Sequence, residues 1–302
     1  MHRLMHLLMN YGSEVINRST VNNMSQNKES VISKLLFTQA IHVKLFVALM
    51  FLCTFTFASN LHAQANNIET LQQAYDDAMK DWAYVLKTYV DAQGRTNFKD
   101  VAQDIEPLEN VVAFIGEVSP ASTPSLFPNA DAVMAFHINS YNALAMYGVI
   151  ERDIPDGFTN FFSRASFFKF RDVTFGGQTT NLYDYENDVI RPLNEPRAHF
   201  ALNCMVKDCP RLPMEPFEAN SLNATLDELT NEFFAKEKHL YFDHDKKRVY
   251  VSEILDFYTE DFVVSGKAKD LPEYINQYLD TPIPSDYKLR FIEYDWRINA
   301  QP

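Results

Sequence analysis

The residues best suited to chemistry lie close together near the middle of the chain. Cys204 and Cys209 are two of the three cysteines in the sequence, and His199 and Asn203 precede them within a dozen residues. A cysteine near a histidine can act as a nucleophile, because the imidazole can take the thiol proton. Two cysteines five residues apart can instead close a small disulfide loop. The segment therefore predicts either a catalytic centre or a covalent staple.

Of the two cysteines, Cys204 is the better nucleophile. A thiol hydrolase or acyl transferase needs donors that stabilise the oxyanion formed during the reaction. Met205 follows Cys204 and has a backbone N–H that can serve as such a donor. Cys209 is followed by Pro210, which has no N–H. If chemistry occurs here, we expect it at Cys204.

The candidate catalytic residues are Cys204 as nucleophile, His199 as base, Glu186 as the group that orients the base, and Asn142 or Asn203 as polar support. Their geometry depends on local structure, because residues at an odd separation on a strand point to opposite faces. His199 and Cys204 are five residues apart and would meet in one cleft only if a strand ends near Asn203 and the chain turns there.

Each of these side chains also has a purely structural interpretation. In an oxidising compartment a Cys204–Cys209 disulfide would stabilise the fold by about 2–3 kcal/mol. A reversible redox pair is another alternative, although the spacing is not Cys-x-x-Cys. Glu186 would then be a buried carboxylate paired with Arg191 or Arg197. The sequence leaves these alternatives open.

The first 65 residues have the features of a secretory leader. Residues 45–58 form a 14-residue apolar run, preceded by Lys44 and followed by the small residues Ala63 and Ala65. A bilayer span needs roughly 20 residues, although an uncleaved anchor is the alternative. We expect residues 1–65, with Cys53, to be removed as signal peptide and leader, leaving residues 66–302 as one periplasmic or secreted domain without stable membrane insertion.

The charge of the chain excludes one class of partner. The sequence has 27 Lys and Arg against 40 Asp and Glu, a formal net charge of −13. Five of the basic and only two of the acidic side chains lie in residues 1–65, so the rest is more acidic still. Such a surface repels nucleic acid and anionic lipid.

Hydrophobic periodicity predicts the elements that must position these residues. Helices are predicted at 68–90, 105–118, 131–151, 184–190, 222–234, 253–262 and 271–279, and strands at 167–175, 179–182, 199–204, 240–242, 249–251 and 289–294. Helices followed by short strands mixed with helices predict a single α+β domain with a small mixed or antiparallel sheet. Helix 131–151 is apolar over a wide face, so Asn139 and Asn142 within it need hydrogen-bond partners.

The sequence has no motif for a cofactor or metal, and we expect neither. The histidines at 137, 199, 239 and 244 are scattered and have no paired spacing typical of a zinc site. No glycine-rich phosphate loop and no Gly-x-Ser-x-Gly motif occurs. Among the aromatic residues, Tyr141, Tyr185 and Tyr258 are candidates to line a cleft.

Several stretches in this order resemble the DUF547 family, whose function is unknown. They are residues 135–144 (AFHINSYNAL), 185–192 (YENDVIRP), 196–204 (PRAHFALNC) with 209–212 (CPRL), 251–262 (VSEILDFYTEDF) and 294–299 (YDWRIN). The resemblance implies an exported bacterial-type member of that family. Its Cys/His/acid set is similar to that of papain-like or transglutaminase-like thiol enzymes, which would imply a related fold.

The chain departs from the family pattern at three places. His137 stands where the family usually has Trp, and Asn187 stands where it usually has His. Residues 205–207 (MVK) replace the small residues that usually follow the first cysteine. The larger side chains crowd the segment beside Cys204 and weaken the case for catalysis there.

Two functions follow from these observations. The first is an exported thiol-dependent hydrolase or acyl or amide transferase that acts on a peptide-like or cell-envelope substrate. The second is a non-catalytic binding or scaffold module, stapled by Cys204–Cys209, that recognises an extracytoplasmic ligand. The bonding state of the two cysteines distinguishes them.

Overall fold

The computed structural model describes residues 34, 46, 50 and 68–302. Contacts between Cα atoms divide the chain into two units, Met1–Asn67 and Ile68–Pro302. The predicted signal peptide and Cys53 lie outside the described residues, apart from the three single positions. Within the described part of the chain, no helix is both long enough and apolar enough to cross a membrane.

Residues 68–302 form a single α+β domain, as the sequence predicts. Its first part is helical and comprises α1 (68–89), α2 (Phe98–Gln103), α3 (Glu106–Glu117) and α4 (Ala130–Ile150). The predicted bounds of α1, α3 and α4 are correct to within one residue. In α1 the apolar side chains at helical spacing face the core, and the buried ones include Trp82, Val85 and Leu86.

Helix α4 is the centre of the hydrophobic core. Residues 134–146 are all buried, so the helix is covered on every side. Its Asn139 has the partners that burial requires: Oδ1 accepts from Trp82 Nε1 at 3.2 Å, and Nδ2 donates to the Phe217 carbonyl at 2.8 Å. These bonds fix α4 to α1 and to the loop before α7.

The segment after α4 differs from the prediction of a strand over 167–175. Residues Phe161–Phe168 form helix α5, which starts at a capping box in which Asn160 Oδ1 accepts from the Ser163 N–H at 2.9 Å. Phe167 is fully buried and stacks on Phe158 at 4.2 Å between ring centroids. The cap and this packing favour helix over the β propensity of phenylalanine.

A short hairpin follows, as predicted. Strand β1 (Val173–Phe175) pairs antiparallel with β2 (Gln178–Thr180), and Phe175 lies opposite Gln178. Gly176 and Gly177 form the turn with φ of 56° and 80°, values that glycine adopts without strain.

The predicted strand at 199–204 is wrong. Helix α6 (Leu182–Asp184) continues into a π-helical turn, Tyr185–Ile190, and 3-10 turns follow at Arg191–Leu193 and Pro196–Phe200. His199 lies in the last of these turns. Pro196 occupies its first position, and the Glu195 carboxylate caps it by accepting from the Arg197 N–H at 3.1 Å. Because His199 lies in a 3-10 turn and not in a strand, the rule that residues at an odd separation point to opposite faces does not apply to His199 and Cys204.

The remaining elements bring distant residues toward these turns. Helix α7 (Leu222–Ala235) precedes a three-stranded mixed sheet of β3 (Leu240–Asp243), β4 (Arg248–Ser252) and β5 (Lys288–Ile292). Strands β3 and β4 are antiparallel, and β4 and β5 are parallel. The long connection from β4 to β5 carries α8 (Ile254–Phe257), α9 (Thr259–Phe262) and α10 (Leu271–Ile275). The helix predicted at 253–262 is broken at Tyr258, whose ψ of 28° is not helical.

Candidate functional site

A cleft of about 710 Å³ brings the predicted chemical residues together. Cys204, His199 and Glu186 all line it. The other polar groups on its surface include Tyr141, Arg191, Tyr258 and Tyr294, and its aromatic residues include Phe161, Phe168, Phe170, Phe257 and Trp296. Tyr141 and Tyr258 therefore line a cleft, as predicted, whereas Tyr185 is fully buried in the core.

His199 is held between two carboxylates. Its Nε2 lies 2.7 Å from Asp261 Oδ2, and its Nδ1 lies 3.9 Å from Glu186 Oε1. The imidazole stacks on the Tyr258 ring with centroids 4.0 Å apart and planes 21° apart. Only 5% of the His199 side chain is exposed. Both ring nitrogens are thus directed at acidic side chains, and no hydrogen bond joins His199 to Cys204 among the described residues.

Asp261 connects the histidine to an arginine. Arg191 makes two bonds to this carboxylate, from Nε at 2.6 Å and from Nη2 at 2.9 Å. Burial tends to raise the pKa of Asp261, but the hydrogen bonds from His199 and Arg191 outweigh it and lower that pKa to about 2. Asp261 is therefore a carboxylate at neutral pH.

The same network separates the cleft from a smaller cavity of about 270 Å³. Arg191, His199, Leu202 and Glu260 line both cavities, so they form the wall between them. Arg191 also donates to Glu260 Oε1 at 2.5 Å. The wall therefore combines the ion pairs of Arg191 with the apolar packing of Leu202.

Glu186 lies in the π-helical turn and is only 7% exposed. Burial, followed by the negative charge of Glu186, raises the pKa of Tyr141 and Tyr258 well above the usual tyrosine value. Both hydroxyls therefore remain protonated at neutral pH, and both tyrosines line the cleft together with Glu186. The predicted ion pair of Glu186 with Arg191 or Arg197 is wrong: Arg191 pairs with acids on α9, and Arg197 pairs with Glu195 and Asp227.

Cys204 and Cys209 are joined by a disulfide. The bond confirms the covalent alternative that the sequence left open. Cys204 is half-buried and lines the cleft, with its Sγ 3.7 Å from the Tyr294 hydroxyl. Cys209 is 2% exposed and lies behind it. The cleft therefore presents one sulfur of a disulfide.

The two candidate asparagines hold the loop that carries the disulfide. Asn142 Oδ1 accepts from the Asn203 N–H at 2.7 Å, and Asn142 Nδ2 donates to the Ala201 carbonyl at 3.0 Å. Asn203 Nδ2 donates to the Pro210 carbonyl at 2.6 Å. These side chains are buried and use their amide groups on the backbone, so their role in this structure is to position the loop.

The chain turns immediately after Cys204. Met205 has φ of +64°, a left-handed conformation that is uncommon for a residue with a side chain. Its N–H donates to Asn203 Oδ1 at 2.7 Å. The backbone donor that the sequence suggested for an oxyanion is thus already hydrogen-bonded within the loop.

The other histidines have structural roles or lie apart from the cleft. His137 Nδ1 lies 2.8 Å from the Tyr185 hydroxyl, and burial lowers the His137 pKa to about 4. Burial, with smaller contributions from Lys238 and Lys236, lowers the pKa of His239 to about 2. Both imidazoles are neutral at pH 7. Within residues 68–302 and the three single positions, no group of three or more His, Cys, Asp or Glu side chains is arranged to hold a metal ion.

Comparison with known proteins finds a family match over part of this chain. Residues 127–234 match DUF547, described as a protein of unknown function. The DUF547 match runs from just before α4 into the last turn of α7, and it includes Glu186, His199 and both cysteines of the disulfide. The stretches at 251–262 and 294–299, which carry Asp261 and Tyr294, lie beyond it. No curated protein and no solved structure matches the chain.

Sequence reasoning missed Asp261, Tyr294 and Trp296 as site residues. Asp261 is 62 residues from the histidine that it contacts, and its segment was predicted as one amphipathic helix. After the break at Tyr258, α9 places Asp261 against His199 Nε2, on the side of the smaller cavity. The one available signal was that all three residues lie in stretches that resemble the family.

Proposed function

We propose that residues 68–302 form a non-catalytic ligand-binding module of an exported protein. One observation carries the proposal: Cys204 Sγ, at the surface of the cleft, is bonded to Cys209 Sγ. A thiol enzyme attacks its substrate with a free thiolate, and a sulfur in a disulfide cannot do so. In this oxidised form the cleft can bind a molecule but cannot acylate Cys204.

The groups that would assist a thiolate support the same conclusion. Both nitrogens of His199 face carboxylates, and the Met205 N–H is bonded to Asn203. Catalysis would require these hydrogen bonds to rearrange in addition to the disulfide being reduced. Binding requires no such change.

The cleft favours a ligand with an apolar or aromatic body and hydrogen-bond donors. Its volume is in the range of about 300–1,000 Å³ that small-molecule sites occupy. Phe257 is 46% exposed at its surface, and Trp296 carries the Arg164 guanidinium 4.9 Å from its ring centroid. The buried Glu186 carboxylate can accept hydrogen bonds from amide, hydroxyl or ammonium groups. A peptide-like or envelope fragment with an aromatic side chain has this combination.

Export is part of the proposal. The apolar run at 45–58 and the small residues after it favour a secretory leader, and a disulfide persists best in an oxidising compartment. The ligand would then be extracytoplasmic.

The test uses Trp296 as an optical reporter, because the only other tryptophan, Trp82, is buried in the core. The probes are N-acetyl dipeptide amides with one aromatic residue, and the matching diglycine compound is the reference. We expect a saturable fluorescence change with the aromatic probes and none with the reference. Phe257→Ala and Glu186→Gln should each weaken binding about tenfold or more, a loss of about 1.4 kcal/mol.

Ile68→Ala is the matched control for these variants, because Ile68 is exposed on α1 and is not among the cleft residues. Its affinity should equal that of the wild type. If no aromatic probe binds the folded, oxidised protein at millimolar concentration, the binding proposal fails.

A thiol hydrolase or transferase is the second candidate, favoured by the meeting of Cys204, His199 and Glu186 in one cleft. It predicts activity only after reduction. Dithiothreitol-treated protein should then hydrolyse p-nitrophenyl acetate or a peptide amide faster than Cys204→Ser does, while Cys209→Ser keeps the activity. Equal rates for the wild type and Cys204→Ser would exclude this candidate.

A further inference from the structure

The two sulfurs of the disulfide have different surroundings. Cys204 faces the cleft, whereas Cys209 is almost fully buried behind it. A molecule that enters the cleft can therefore reach Cys204 Sγ but not Cys209 Sγ. Thiol–disulfide exchange requires the attacking thiolate to approach one particular sulfur, so access alone favours Cys204 as the sulfur attacked.

The backbone around Cys209 Sγ is arranged to accept negative charge. The N–H groups of Cys204 and Val206 both donate to this sulfur, at 3.1 Å and 3.4 Å. They flank Met205, whose left-handed φ turns the chain so that both point to one atom. Two N–H groups converging around a left-handed residue form a nest, an arrangement that binds anions.

Such donors favour a thiolate over a disulfide sulfur, because hydrogen bonds to an ionised acceptor are stronger than those to a neutral one. Cys209 is therefore the better leaving group of the pair, and a good leaving thiolate speeds exchange. Access and leaving-group stabilisation point to the same direction of reaction.

We propose that Cys204–Cys209 is a reactive disulfide that exchanges with thiol reductants in a fixed direction, with attack at Cys204 and departure of Cys209. This activity goes beyond ligand binding and does not depend on it. The co-reactant is a dithiol, or two molecules of a monothiol, that enters through the cleft.

The reaction balances in two steps. A thiolate of the reductant attacks Cys204 Sγ, the Cys204–Cys209 bond breaks, and its electron pair passes to Cys209, which leaves as a thiolate. A second thiol then attacks the reductant's sulfur in the mixed disulfide and releases Cys204. Two reductant thiols become one disulfide, the protein disulfide becomes two thiols, and the two thiol protons are transferred to the cysteines through solvent.

The test maps the mixed disulfide. Native oxidised protein is mixed with glutathione, quenched at intervals with acid and N-ethylmaleimide, and digested for peptide mass spectrometry. We expect glutathione on Cys204 and maleimide on Cys209, with about tenfold or greater preference over the reverse pattern. The same reaction in denaturant is the control, and there the two patterns should be nearly equal.

The proposal is overturned if glutathione is found equally on both cysteines of the native protein, or mainly on Cys209. It is also overturned if only the denatured protein reacts. A second measurement tests the nest: thiolate absorbance of Cys204→Ser should show Cys209 ionising below the usual thiol pKa of about 8.5. A value above 8.5 would overturn the proposed direction, because burial would then outweigh the two N–H groups and Cys209 would be the poorer leaving group. Failure of the peptide probes to bind leaves all of these outcomes unaffected.

Discussion

At the scale of single residues, Asn203 determines the shape of the disulfide loop. Its side chain bonds both the N–H after Cys204 and the carbonyl after Cys209. It thus closes the same loop that the disulfide closes, but with hydrogen bonds. The sequence identified Asn203 as polar support for catalysis; the contacts show that it supports the backbone.

Asn203→Ala should lower the free energy of unfolding by about 2–6 kcal/mol, because it leaves a buried N–H and a buried carbonyl without partners at about 1–3 kcal/mol each. Urea denaturation measures this loss. Asn231→Ala is the control, since Asn231 is exposed on α7 and bonds only to the Asp227 carbonyl one turn away. Equal stabilities of the two variants would contradict this role of Asn203.

Asp261 makes a pH-dependent contribution to stability. Its pKa is lowered from 3.8 to about 2 in the folded protein. A depressed carboxyl pKa stabilises the fold above the unfolded value and loses this contribution as pH falls through the folded value. The window is therefore between about pH 4 and pH 2.

Comparison of the wild type with Asp261→Asn isolates this effect. The difference in their free energies of unfolding should narrow by about 2 kcal/mol between pH 5 and pH 2, because the variant has no carboxyl group to protonate. Denaturant titrations at a series of pH values measure it. A difference that stays constant over that range would show that the ion pairs of Asp261 contribute nothing to stability.

The reactive residue types of the site were predictable from local sequence, but the contacts that they make with distant residues were not. The cluster from His199 to Cys209 has the right residue types within a short segment, and the disulfide was one of the stated alternatives, beside a catalytic thiol and a reversible redox pair. Asp261 lies 62 residues away from His199, so its approach depends on tertiary packing that no local pattern encodes. The same holds for the Tyr141 and Tyr258 hydroxyls around Glu186.

At the scale of elements, long amphipathic helices were predicted well and short irregular turns poorly. Helices α1 and α3 have enough apolar repeats for the period to be unambiguous, and α4 is an apolar segment too long for a strand. The segments at 167–175 and 199–204 are short and apolar, and such runs fit a strand or a buried turn equally well. Asn160 caps α5, which takes residues 167–168 into a helix and leaves 173–175 as strand β1, and Glu195 caps the turn that contains His199.

A close backbone approach fixes the position of Trp296 beside the cleft. A Cβ at Gly157 would lie 2.6 Å from both the Arg297 Cα and the Trp296 carbonyl oxygen. Gly157→Ala should therefore push the two bridged segments apart, lower stability by about 1–3 kcal/mol and shift the Trp296 emission. Fluorescence and urea denaturation measure the two effects together.

Gly116→Ala is the matched control and should have the opposite sign. Its Cβ would meet nothing nearer than 3.8 Å, and Gly116 lies within α3. Alanine is favoured over glycine in a helix by about 0.5–1 kcal/mol, so this variant should be slightly more stable than the wild type. Destabilisation of both variants to the same extent would contradict the proposed clash.

At the scale of the whole molecule, the disulfide closes a small loop in a domain of more than two hundred residues. Reduction should lower the free energy of unfolding by about 2 kcal/mol, which corresponds to a fall of about 4–8 °C in Tm. Calorimetry with and without dithiothreitol measures it. The double variant Cys204→Ser/Cys209→Ser should melt at the temperature of the reduced protein and should not respond to dithiothreitol.

Export is also tested on the whole chain. If residues 1–65 are a cleaved leader, the protein recovered outside the cytoplasm should begin at Gln64 or Asn66, after Ala63 or Ala65. N-terminal sequencing decides this. Recovery of the intact N-terminus in a membrane fraction would contradict cleavage and favour an anchor.

The burial of α4 on every side limits how this protein can vary. Helix α7 buries Leu222, Leu226, Leu229, Thr230 and Phe233 and leaves most of the positions between them exposed, so tolerance to substitution there should rise and fall with the helical repeat. Residues 134–146 of α4 are all buried, so burial does not alternate along this stretch. In a saturation-mutagenesis experiment every position of this stretch should tolerate few substitutions. Adaptation to a new ligand would then have to arise in the turns and aromatic side chains around the helix.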